Sequence, residues 1–453
     1  MSLTSGTRFS GQANERAKKL FKTNQTKSLG ELTDYTVLDQ YNVSISGESP
    51  PTQINDWSGL CSELKEKLLA ASFTQPTPAQ KYSIPCFLNN RSFIMISPTG
   101  SGKTLAYALP LLHLLKGKPE NEIRCVIITP TRELASQVLK QFTRFADATN
   151  VKVQKLRKNR KVPKCQILIG TPKRIADLKP NMSLVEYVVI DEADQLLSYS
   201  FVSQTDSVLA MLPKKIQVSL FTATMTPKVE ETANSFMTNI VRIQVGDYHA
   251  VAALITQELK FVGKEKGKVL EIRQRFNEGK IELPCMIFVM NKERARDLAE
   301  ELGIPCAILT SDESDGERAE AIRKIRTGEV QILIATDLGG RGIDLAALQT
   351  VINFDLPPTS TIYIHRIGRT ARAGRGGHAL TLFTTEDQPN LKPVASVMKK
   401  SGCHVEEWML QNQDKKHIGA RALFEQSKRH TISSRVWKNA KVRNPKPKTP
   451  VLE

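Results

Sequence analysis

The sequence predicts an α/β protein with two domains, each a mostly parallel β-sheet flanked by helices. The chain has 453 residues, of which 40% are hydrophobic. Because single domains usually contain ~100 to 200 residues, the chain is long enough to form two cores. Short apolar segments also alternate with helix-like segments in two blocks, which is the pattern of parallel sheets covered on both faces.

Ten strand-like segments divide equally between the two blocks. In the second block, four apolar residues recur at helical spacing after Asn291, a suitable N-cap, so a helix is predicted over residues 291–302. The strands are predicted at 93–96, 125–129, 166–169, 187–190 and 218–221, and then at 286–289, 307–309, 331–335, 351–354 and 379–383.

The composition divides the chain into five parts. The break between the two blocks lies near residues 246–253. The N-terminal part has mixed charge and little apolar periodicity, which predicts disorder, and the C-terminal part interleaves basic residues with prolines, which predicts an extended tail. The predicted parts are an N-terminal extension at 1–50, a first domain at 51–245, a linker at 246–257, a second domain at 258–410 and a basic tail at 411–453.

A glycine-rich segment joins the first apolar strand to a helix-like run. Backbone N–H groups at a helix start attract anions, and glycines allow a phosphate to approach closely. A lysine then supplies a mobile cation, and a threonine hydroxyl can bind Mg²⁺. We therefore predict a nucleotide phosphate site, with a plain strand-to-helix turn as the alternative because the general pattern has glycine at the first position. The segment is Ser97-Pro98-Thr99-Gly100-Ser101-Gly102-Lys103-Thr104.

Acidic residues at the end of a later strand complete the predicted site. The apolar run at 187–190 leads into Asp191-Glu192-Ala193-Asp194. Asp191 is suited to hold the metal ion, and Glu192 to orient or deprotonate a water that attacks the terminal phosphate. An acidic pair at a strand end is more often a solvated turn. Here it follows the phosphate loop by about 90 residues, which fits one doubly wound domain.

Three arginines lie close together in the second block, in the segment His365-Arg366-Ile367-Gly368-Arg369-Thr370-Ala371-Arg372. A guanidinium group matches phosphate oxygens with a planar fork of donors. The second block has no phosphate loop of its own, so no second nucleotide site is predicted there. The alternative for these arginines is a solvated basic turn.

The net charge of +18 at pH 7 favours a polyanionic partner such as nucleic acid, although it is also compatible with a merely soluble surface. No apolar run approaches the ~20 residues that span a bilayer, and the first residues lack a signal-peptide core, so a soluble intracellular protein is expected. The seven cysteines are scattered without C-x-x-C spacing. They are predicted to be small apolar residues in a reducing compartment, with no metal site.

The ordered series of motifs resembles the DEAD-box RNA helicases of superfamily 2, over residues 57–387. The complete series is far more specific than any one motif. The resemblance implies two tandem RecA-like domains that close over ATP and Mg²⁺ on one side and single-stranded RNA on the other, in a monomeric core without a membrane partner. Besides the phosphate loop, the acids and the arginine segment, the motifs are Phe73-Thr74-Gln75-Pro76-Thr77-Pro78-Ala79-Gln80, Pro130-Thr131-Arg132-Glu133-Leu134, Thr171-Pro172-Lys173-Arg174, Thr222-Ala223-Thr224, Ala335-Thr336-Asp337 and Arg341-Gly342-Ile343-Asp344.

The resemblance also implies roles for residues at the nucleotide. Gln80 would read adenine through its side-chain amide, with Trp57 or Phe73 stacked on the ring. Asp344 would contact the ribose beside Gly342. The nucleotide-binding residues would be these five together with residues 97–104, Arg369 and Arg372. The metal ligands would be Thr104 and Asp191. The catalytic residues would be Lys103, Asp191, Glu192, Arg369 and Arg372.

The two arginines of that catalytic set, Arg369 and Arg372, would reach across the cleft as arginine fingers, so that ATP hydrolysis requires domain closure. Thr222, Thr224, Asp194 and His365 would couple hydrolysis to the RNA side. RNA contacts would fall on the phosphate backbone, which makes binding weakly sequence-specific. Local strand separation is the implied activity. The implied RNA-binding residues are Arg132, Thr171, Arg174, Arg318 and Thr336.

The sequence departs from the family pattern at several positions. Ser72 replaces a glycine, Thr222 replaces a serine, and Asp315 stands where a glutamine is common, which should weaken a phosphate contact near Arg318. A glycine doublet expected between 134 and 171 is absent. That interval instead carries a basic run, which is either an electrostatic RNA contact or a solvated loop. The run comprises Lys152, Lys155, Arg157, Lys158, Arg160, Lys161 and Lys164.

Two segments look most like the eukaryotic subfamily that acts in small-subunit ribosomal RNA maturation. They are Phe261-Val262-Gly263 before Lys268, and Phe383-Thr384-Thr385-Glu386-Asp387 followed by Val394-Ala395-Ser396-Val397-Met398-Lys399-Lys400-Ser401-Gly402-Cys403. This similarity implies a protein of the nucleus and nucleolus that acts on pre-rRNA and meets pre-ribosomal proteins, and whose basic tail adds RNA affinity or nuclear targeting. The alternatives are an ATP-gated RNA clamp or assembly scaffold with little unwinding, and a DNA translocase.

Overall fold

The computed structural model describes two β-sheets flanked by helices. It covers residues 42–157, 160–198, 201–246, 252, 255–310, 312–340, 345, 348–370 and 376–411. The predicted fold class is confirmed, because both sheets are dominated by parallel strands. None of the helices within these ranges is long and apolar enough to cross a membrane. The predicted tail lies, apart from residue 411, outside the described residues.

The first sheet has eight strands in the order β1-β8-β2-β7-β6-β3-β5-β4. Only β1 runs antiparallel, against β8. The strands are β1 Val43–Ser46, β2 Phe93–Ile96, β3 Cys125–Ile128, β4 Val153–Lys155, β5 Ile167–Gly170, β6 Tyr187–Asp191, β7 Gln217–Thr222 and β8 Val241–Val245.

Helices cover both faces of this sheet. Alternate residues of β2 enter different cores, with Phe93 and Met95 on one face and Ile94 and Ile96 on the other. Such a strand is buried on both faces and therefore reads as a continuous apolar run. The helices are α1 Ser62–Ala70, α2 Pro78–Leu88, α3 Lys103–Leu114, α4 Arg132–Ala146, α5 Pro172–Leu178, α6 Ala193–Leu196, α7 Val202–Leu209 and α8 Pro227–Phe236.

The second sheet has six parallel strands in the order β11-β12-β10-β13-β14-β9. The strands are β9 Ile255–Phe261, β10 Cys285–Phe288, β11 Ala307–Leu309, β12 Ile332–Ala335, β13 Thr350–Asn353 and β14 Gly377–Phe383. The helices are α9 Glu265–Asn277, α10 Lys292–Leu302, α11 Asp315–Arg326, α12 Asp337–Gly340, α13 Ser360–Ile367 and α14 Lys392–Lys400, with 3₁₀-helices at Thr385–Asn390 and Glu407–Leu410.

The predicted helix over 291–302 is confirmed as α10. The Asn291 side chain caps it by accepting a hydrogen bond from the Arg294 backbone N–H at 2.9 Å. All ten predicted strands are also present, with ends that differ from the prediction by at most two residues. The seven cysteines are free thiols.

Two predicted boundaries need correction. The N-terminal extension, predicted to be disordered through residue 50, ends in β1, which hydrogen-bonds to β8 of the first sheet. The predicted linker at 246–257 runs into β9, which pairs along its whole length with β14. Both strands lie at sheet edges and carry exposed residues, so their sequences lack the continuous apolar run of a central strand.

Candidate active site at the domain cleft

The predicted phosphate loop connects β2 to α3 and is held in shape by its own polar groups. Ser101 Oγ donates to the Pro98 carbonyl at 2.9 Å and lies within hydrogen-bond distance of Ser97 Oγ, at 3.0 Å. The Ser97 hydroxyl therefore has an internal function at the position where the general pattern has glycine. Gly100 and Gly102 have φ of 80° and 83°, a left-handed conformation that favours glycine.

Lys103 begins α3 and folds back over this loop. Its Nζ donates to the carbonyl oxygens of Ser97 at 2.7 Å and Pro98 at 2.6 Å. The ammonium group thus lies over the cradle formed by the loop, where a phosphate oxygen would approach. This location fits the predicted role of a mobile cation.

Gln80 braces the phosphate loop from α2. Its Oε1 accepts a hydrogen bond from the Thr77 backbone N–H at 2.9 Å, and its Nε2 donates to the Gly102 carbonyl at 3.2 Å. Thr77 Oγ1 also donates to the Ser101 carbonyl at 2.8 Å. A Cβ atom at Gly102 would come within 2.6 Å of Gln80 Nε2. Both ends of the Gln80 amide are engaged inside the protein, and adenine reading stays a prediction.

Trp57 and Phe73 lie in different environments. Trp57 is only 4% exposed, belongs to the core, and donates its indole N–H to the Phe73 carbonyl at 3.0 Å. The Phe73 ring is half-buried and lies under the Arg144 guanidinium at 5.0 Å. The geometry gives Trp57 a supporting position behind Phe73, so Phe73 is the better candidate to stack on a nucleotide base.

Asp191 ends β6 as a buried carboxylate. Tyr107 on α3 donates its hydroxyl to Asp191 Oδ2 at 2.9 Å, and the Glu192 backbone N–H donates to Oδ1 at 3.0 Å. Burial, together with the negative charge of Glu192, raises the pKa of Asp191 to about 6, against the opposing effects of Tyr107 and Lys103. A cation bound here would stabilise the ionised form.

Glu192 directly precedes α6 in a left-handed conformation, with φ and ψ both 52°. This backbone geometry is uncommon for a residue other than glycine and often occurs at functional sites. Glu192 Oε2 accepts a hydrogen bond from Gln195 Nε2 at 2.6 Å. The two acids of the predicted pair therefore have different hydrogen-bond partners, although the charge of Glu192 still acts on Asp191.

Four polar residues form a hydrogen-bonded chain that crosses the cleft. Thr222 Oγ1 donates to the Thr224 carbonyl at 2.8 Å, and Thr224 Oγ1 donates to Asp194 Oδ2. His365 of the second domain lies 3.0 Å from the same Asp194 oxygen. Burial opposes ionisation of Asp194, but His365, Thr224 and Lys103 outweigh it and lower the pKa of Asp194. The structure thus brings all four predicted coupling residues together.

The arginine segment reaches the phosphate loop from the second domain. Thr99 Oγ1 of the loop donates to the Gly368 carbonyl at 3.2 Å. Arg369 is 6% exposed and donates its Nε to the His365 carbonyl at 3.3 Å. Arg366 is instead buried in the second domain, where it forms a bidentate pair with Asp337 at 2.7 and 2.9 Å. Arg366 is therefore neither a solvated residue nor available to a nucleotide.

Three predicted nucleotide-site residues, Gly342, Asp344 and Arg372, lie outside the described residues. Thr104 occupies the first turn of α3 and is half-buried. Within the described ranges, no group of three or more His, Cys, Asp and Glu residues is arranged to hold a metal ion. Mg²⁺ commonly takes only one or two protein carboxylates and completes its coordination with phosphates and water. The Thr104 hydroxyl and the Asp191 carboxylate fit that requirement.

The predicted RNA-binding residues divide into two groups. Arg132 is exposed at the start of α4, and Thr171 and Arg174 are half-buried at the start of α5. Arg318, in contrast, is 5% exposed and joins the two domains through an ion pair with Glu133 at 2.8 Å. Its Nη2 donates to the Gly339 carbonyl at 3.1 Å. The side chain of Arg318 is thus occupied by protein partners.

Thr336, the remaining predicted RNA-binding residue, follows β12 and is 8% exposed. Its Oγ1 accepts a hydrogen bond from the Gly339 backbone N–H at 3.2 Å, so its hydroxyl caps the short helix α12.

The comparisons with known proteins agree with this architecture. Residues 77–232 match the DEAD/DEAH box helicase model and residues 267–374 match the helicase conserved C-terminal domain. The structure of S. cerevisiae Dbp5 bound to RNA and ADP BeF3 has a TM-score of 0.69 at 27% identity, over 83% of this chain and 98% of that chain. The fold is that of two tandem RecA-like helicase domains.

The chain belongs to the DEAD/DEAH box helicase family and is an ATP-dependent RNA helicase with RNA-stimulated ATPase activity. It is 39% identical over 399 residues to the ATP-dependent RNA helicase ROK1 of Meyerozyma guilliermondii, covering 82% of this chain and 74% of that protein. It is 38% identical over 432 residues to DEAD-box ATP-dependent RNA helicase 57 of Arabidopsis thaliana, covering 90% and 80%.

Sequence reasoning missed the role of Tyr107 and the contacts that Thr99 and Glu133 make with the other domain, although Thr99 was predicted to bind nucleotide. Tyr107 lies in the apolar run of α3 and reads as a core residue, yet its hydroxyl holds Asp191. Thr99 and Glu133 each contact the other domain, through Gly368 and Arg318. A signal for Glu133 was present in the sequence, because this acid stands beside Arg132 in the motif Pro130-Thr131-Arg132-Glu133-Leu134. Its partner lies 185 residues away, and local patterns do not predict such a distance.

Proposed function

We propose that this helicase separates or remodels short RNA segments during pre-rRNA processing and small ribosomal subunit assembly in the nucleolus. The ATP-dependent RNA helicase activity follows from the family. The ribosomal role is supported by the two segments around Phe261 and Phe383 that resemble the corresponding eukaryotic subfamily. The relatives named above are themselves called RNA helicases, which agrees with an RNA substrate.

The observation that carries the mechanism is the hydrogen-bonded chain across the cleft. It begins at the phosphate loop, where the Ser97 backbone N–H donates to the Thr222 carbonyl at 3.0 Å. It continues through Thr224 and Asp194 to His365 of the second domain. A change in domain spacing therefore alters the surroundings of the phosphate loop, and closure by bound RNA would favour the hydrolytically competent arrangement.

In this mechanism each nucleotide-site residue has one task. Lys103 binds the phosphates, and Glu192 orients or deprotonates the attacking water. Arg369 and Arg372 stabilise the charge of the transition state only when the domains close. Bound Mg²⁺, held by Thr104 and Asp191, would neutralise phosphate charge. Gln80 and Phe73 recognise adenine, with Asp344 at the ribose.

On the RNA side, Arg132, Thr171 and Arg174 contact the phosphate backbone, with Thr336 across the cleft. Arg318 contributes mainly through its ion pair with Glu133. Because both side chains are mostly buried there, loss of either partner would leave a charge buried without its counter-ion and would disfavour the closed arrangement more than loss of an exposed pair. Bound RNA that bridges the domains and this ion pair therefore both contribute to domain closure.

The experiment measures nucleotide binding and ATP hydrolysis with and without single-stranded RNA. RNA is expected to stimulate hydrolysis by the wild type. Arg372→Ala is expected to abolish that stimulation and leave ATP affinity without RNA nearly unchanged, because the residue lies on the opposite domain. Full stimulation in this variant would overturn the arginine-finger assignment. Stimulation by single-stranded DNA at equal strength would favour a DNA translocase.

A specific observation keeps the ATP-gated clamp as a second candidate. The cleft is closed by several direct contacts, and a long-lived closed state would hold RNA without turnover. Strand separation of a short duplex, measured beside ATPase, distinguishes the two. Crosslinking the protein to cellular RNA and sequencing the fragments tests the ribosomal role, since enrichment of RNAs other than pre-rRNA would contradict it.

A further inference from the structure

We propose that the loop between β4 and β5 is a further RNA-phosphate contact that lengthens the RNA track of the first domain. This basic loop is defined by Arg157, Arg160, Lys161 and Lys164, all of which are exposed. The inference rests on the proposed RNA-binding role of Arg132, Thr171 and Arg174 and extends that surface across the sheet edge.

The sheet places the basic loop on the same edge as those residues. Strands β3, β5 and β4 are adjacent and parallel, with Ile128 opposite Gly170 and Lys155 opposite Ile169. The chain therefore leaves all three strands at one edge. Since neighbouring strands lie about 5 Å apart, the end of β4 is about 10 Å from the end of β3.

The start of the basic loop is anchored beside α5. The Leu156 backbone N–H donates to the Ile169 carbonyl at 2.9 Å. The Leu156 side chain is buried in the same core cluster as Ile175 of α5. Arg157 follows directly and is exposed, so it leaves the sheet next to the helix that begins at Thr171.

A second contact ties this strand to α4. Lys155 Nζ donates to Ser136 Oγ, and Ser136 Oγ donates to the Arg132 carbonyl at 2.8 Å. The first turn of α4, which carries the exposed Arg132, is thus joined to the last residue of β4. The start of the basic loop and the proposed RNA residues therefore lie at the same edge of the sheet and are joined by direct contacts.

Among the residues that the structure describes, the charges of the basic loop have no acidic partners, whereas lysines at the opposite edge do. In the portion of the chain that the structure describes, no Asp or Glu forms an ion pair with any of the four basic-loop residues. At the amino-terminal edge, Lys116 pairs with Glu63 at 2.5 Å, Lys118 with Glu186 at 3.8 Å, and Lys152 with Glu120. An uncompensated positive cluster favours a polyanion, and the phosphates of RNA continue the neighbouring track.

The test compares two triple variants of the full chain that remove the same charge. The first, Arg157→Ala/Arg160→Ala/Lys161→Ala, alters the basic loop, and the control, Lys116→Ala/Lys118→Ala/Lys152→Ala, alters the opposite edge. Binding of labelled single-stranded RNA is measured at several salt concentrations. Loss of three phosphate contacts should reduce the slope of log K against log salt by about 2 in the first triple only.

A charge-preserving variant, Arg157→Lys/Arg160→Lys, is expected to keep the wild-type slope, because phosphate contact requires charge more than a particular side chain. Equal slopes in the two alanine triples would overturn the inference. So would aggregation of the first triple with an unchanged slope, since charges also protect edge strands from pairing. The ATPase rate at saturating RNA should match that of the wild type in both triple variants. A wild-type protein without RNA-stimulated ATPase activity would instead contradict the proposed function.

Discussion

Each domain buries an aspartate at the carboxyl edge of its sheet, but the surroundings shift the pKa values of the two carboxylates in opposite directions. Asp191 ends β6 and Asp355 follows β13 by two residues, and both are almost completely buried. Burial and Glu192 raise the pKa of Asp191 to about 6. Burial also opposes ionisation of Asp355, but Lys268 and Arg294 outweigh it and hold the pKa of Asp355 well below its ordinary range.

The second domain supplies its own cations to its carboxylate. Arg294 Nε donates to Asp355 Oδ2 at 2.8 Å, as does the Met290 backbone N–H, and Lys268 Nζ lies 3.2 Å from Oδ1. Lys268 and Arg294 are both fully buried. The first domain gives Asp191 only neutral donors and a more distant lysine. Asp191, which is suited to an external ligand, thus has too little positive charge around it, whereas the structural Asp355 is fully paired.

The largest expected effect concerns the neighbour of Asp191. Glu192→Gln removes the carboxylate proposed to act on water and should lower RNA-stimulated turnover by about 10² to 10⁴ while ATP and RNA binding persist. Single-turnover ATPase and equilibrium binding measure this. Glu186→Gln, the same change in a surface ion pair with Arg124, is the control. A rate near wild type in the first variant would refute the assignment.

The second effect tests whether Asp355 is structural. Asp355→Asn leaves Lys268 and Arg294 buried with too little negative charge, so unfolding of the second domain should become easier by about 3 to 5 kcal/mol. Thermal or denaturant unfolding measures the change. Asp312→Asn, which breaks an exposed pair with Lys292, should cost at most about 1 kcal/mol. Equal destabilisation by the two substitutions would show that the buried charges around Asp355 contribute no more to stability than a surface ion pair.

Asp191→Asn should change the stability of the protein in the opposite direction to Asp355→Asn. The folded-state pKa of about 6 lies above the ordinary 3.8, so the stability linked to this proton is fully present below pH 3.8 and is lost as pH rises through 6. At pH 7.5 and without nucleotide, the variant should therefore be more stable by up to about 3 kcal/mol, and inactive. The difference should vanish toward pH 4. A destabilised variant at pH 7.5 would show that Asp191 is structural like Asp355.

The smallest expected effect lies in the chain that crosses the cleft. Thr224→Val removes the hydroxyl bonded to Asp194 and should cost about 1 to 2 kcal/mol of closure, seen as weaker RNA stimulation with unchanged ATP affinity. The ATPase rate as a function of RNA concentration measures it. Thr143→Val, on the exposed face of α4, is the control. Identical RNA dependence in both variants would exclude a coupling role for Thr224.

The central strands were predictable because they are buried on both faces. β2 and β3 read as Phe93-Ile94-Met95-Ile96 and Cys125-Val126-Ile127-Ile128, runs without a polar residue. In contrast β8 alternates buried and half-buried residues, and β1 is short and mostly exposed. Such strands are specified by their partners in the sheet more than by local sequence.

For the site, the residue types at the strand ends were predictable, but their partners were not. The position of Lys103 follows from the strand, loop and helix order around it. The hydrogen bond from Tyr107 depends on the register between α3 and β6, and the ion pair of Arg318 with Glu133 depends on how the two domains meet. Neither is encoded in a local pattern, because each joins residues far apart in sequence.

The two carbonyl contacts of Lys103 have a consequence for nucleotide entry. Because the ammonium group already donates to the Ser97 and Pro98 carbonyls, it gains less free energy from binding an anion than an ammonium group without hydrogen-bond partners would. When a nucleotide binds to the loop, Lys103 exchanges hydrogen bonds with the carbonyls for hydrogen bonds with the phosphates. Small anions such as inorganic phosphate compete poorly with the loop's own oxygens, whereas a polyphosphate chain replaces them with several contacts at once. The same exchange in reverse returns Lys103 to its two carbonyl partners when the phosphates leave.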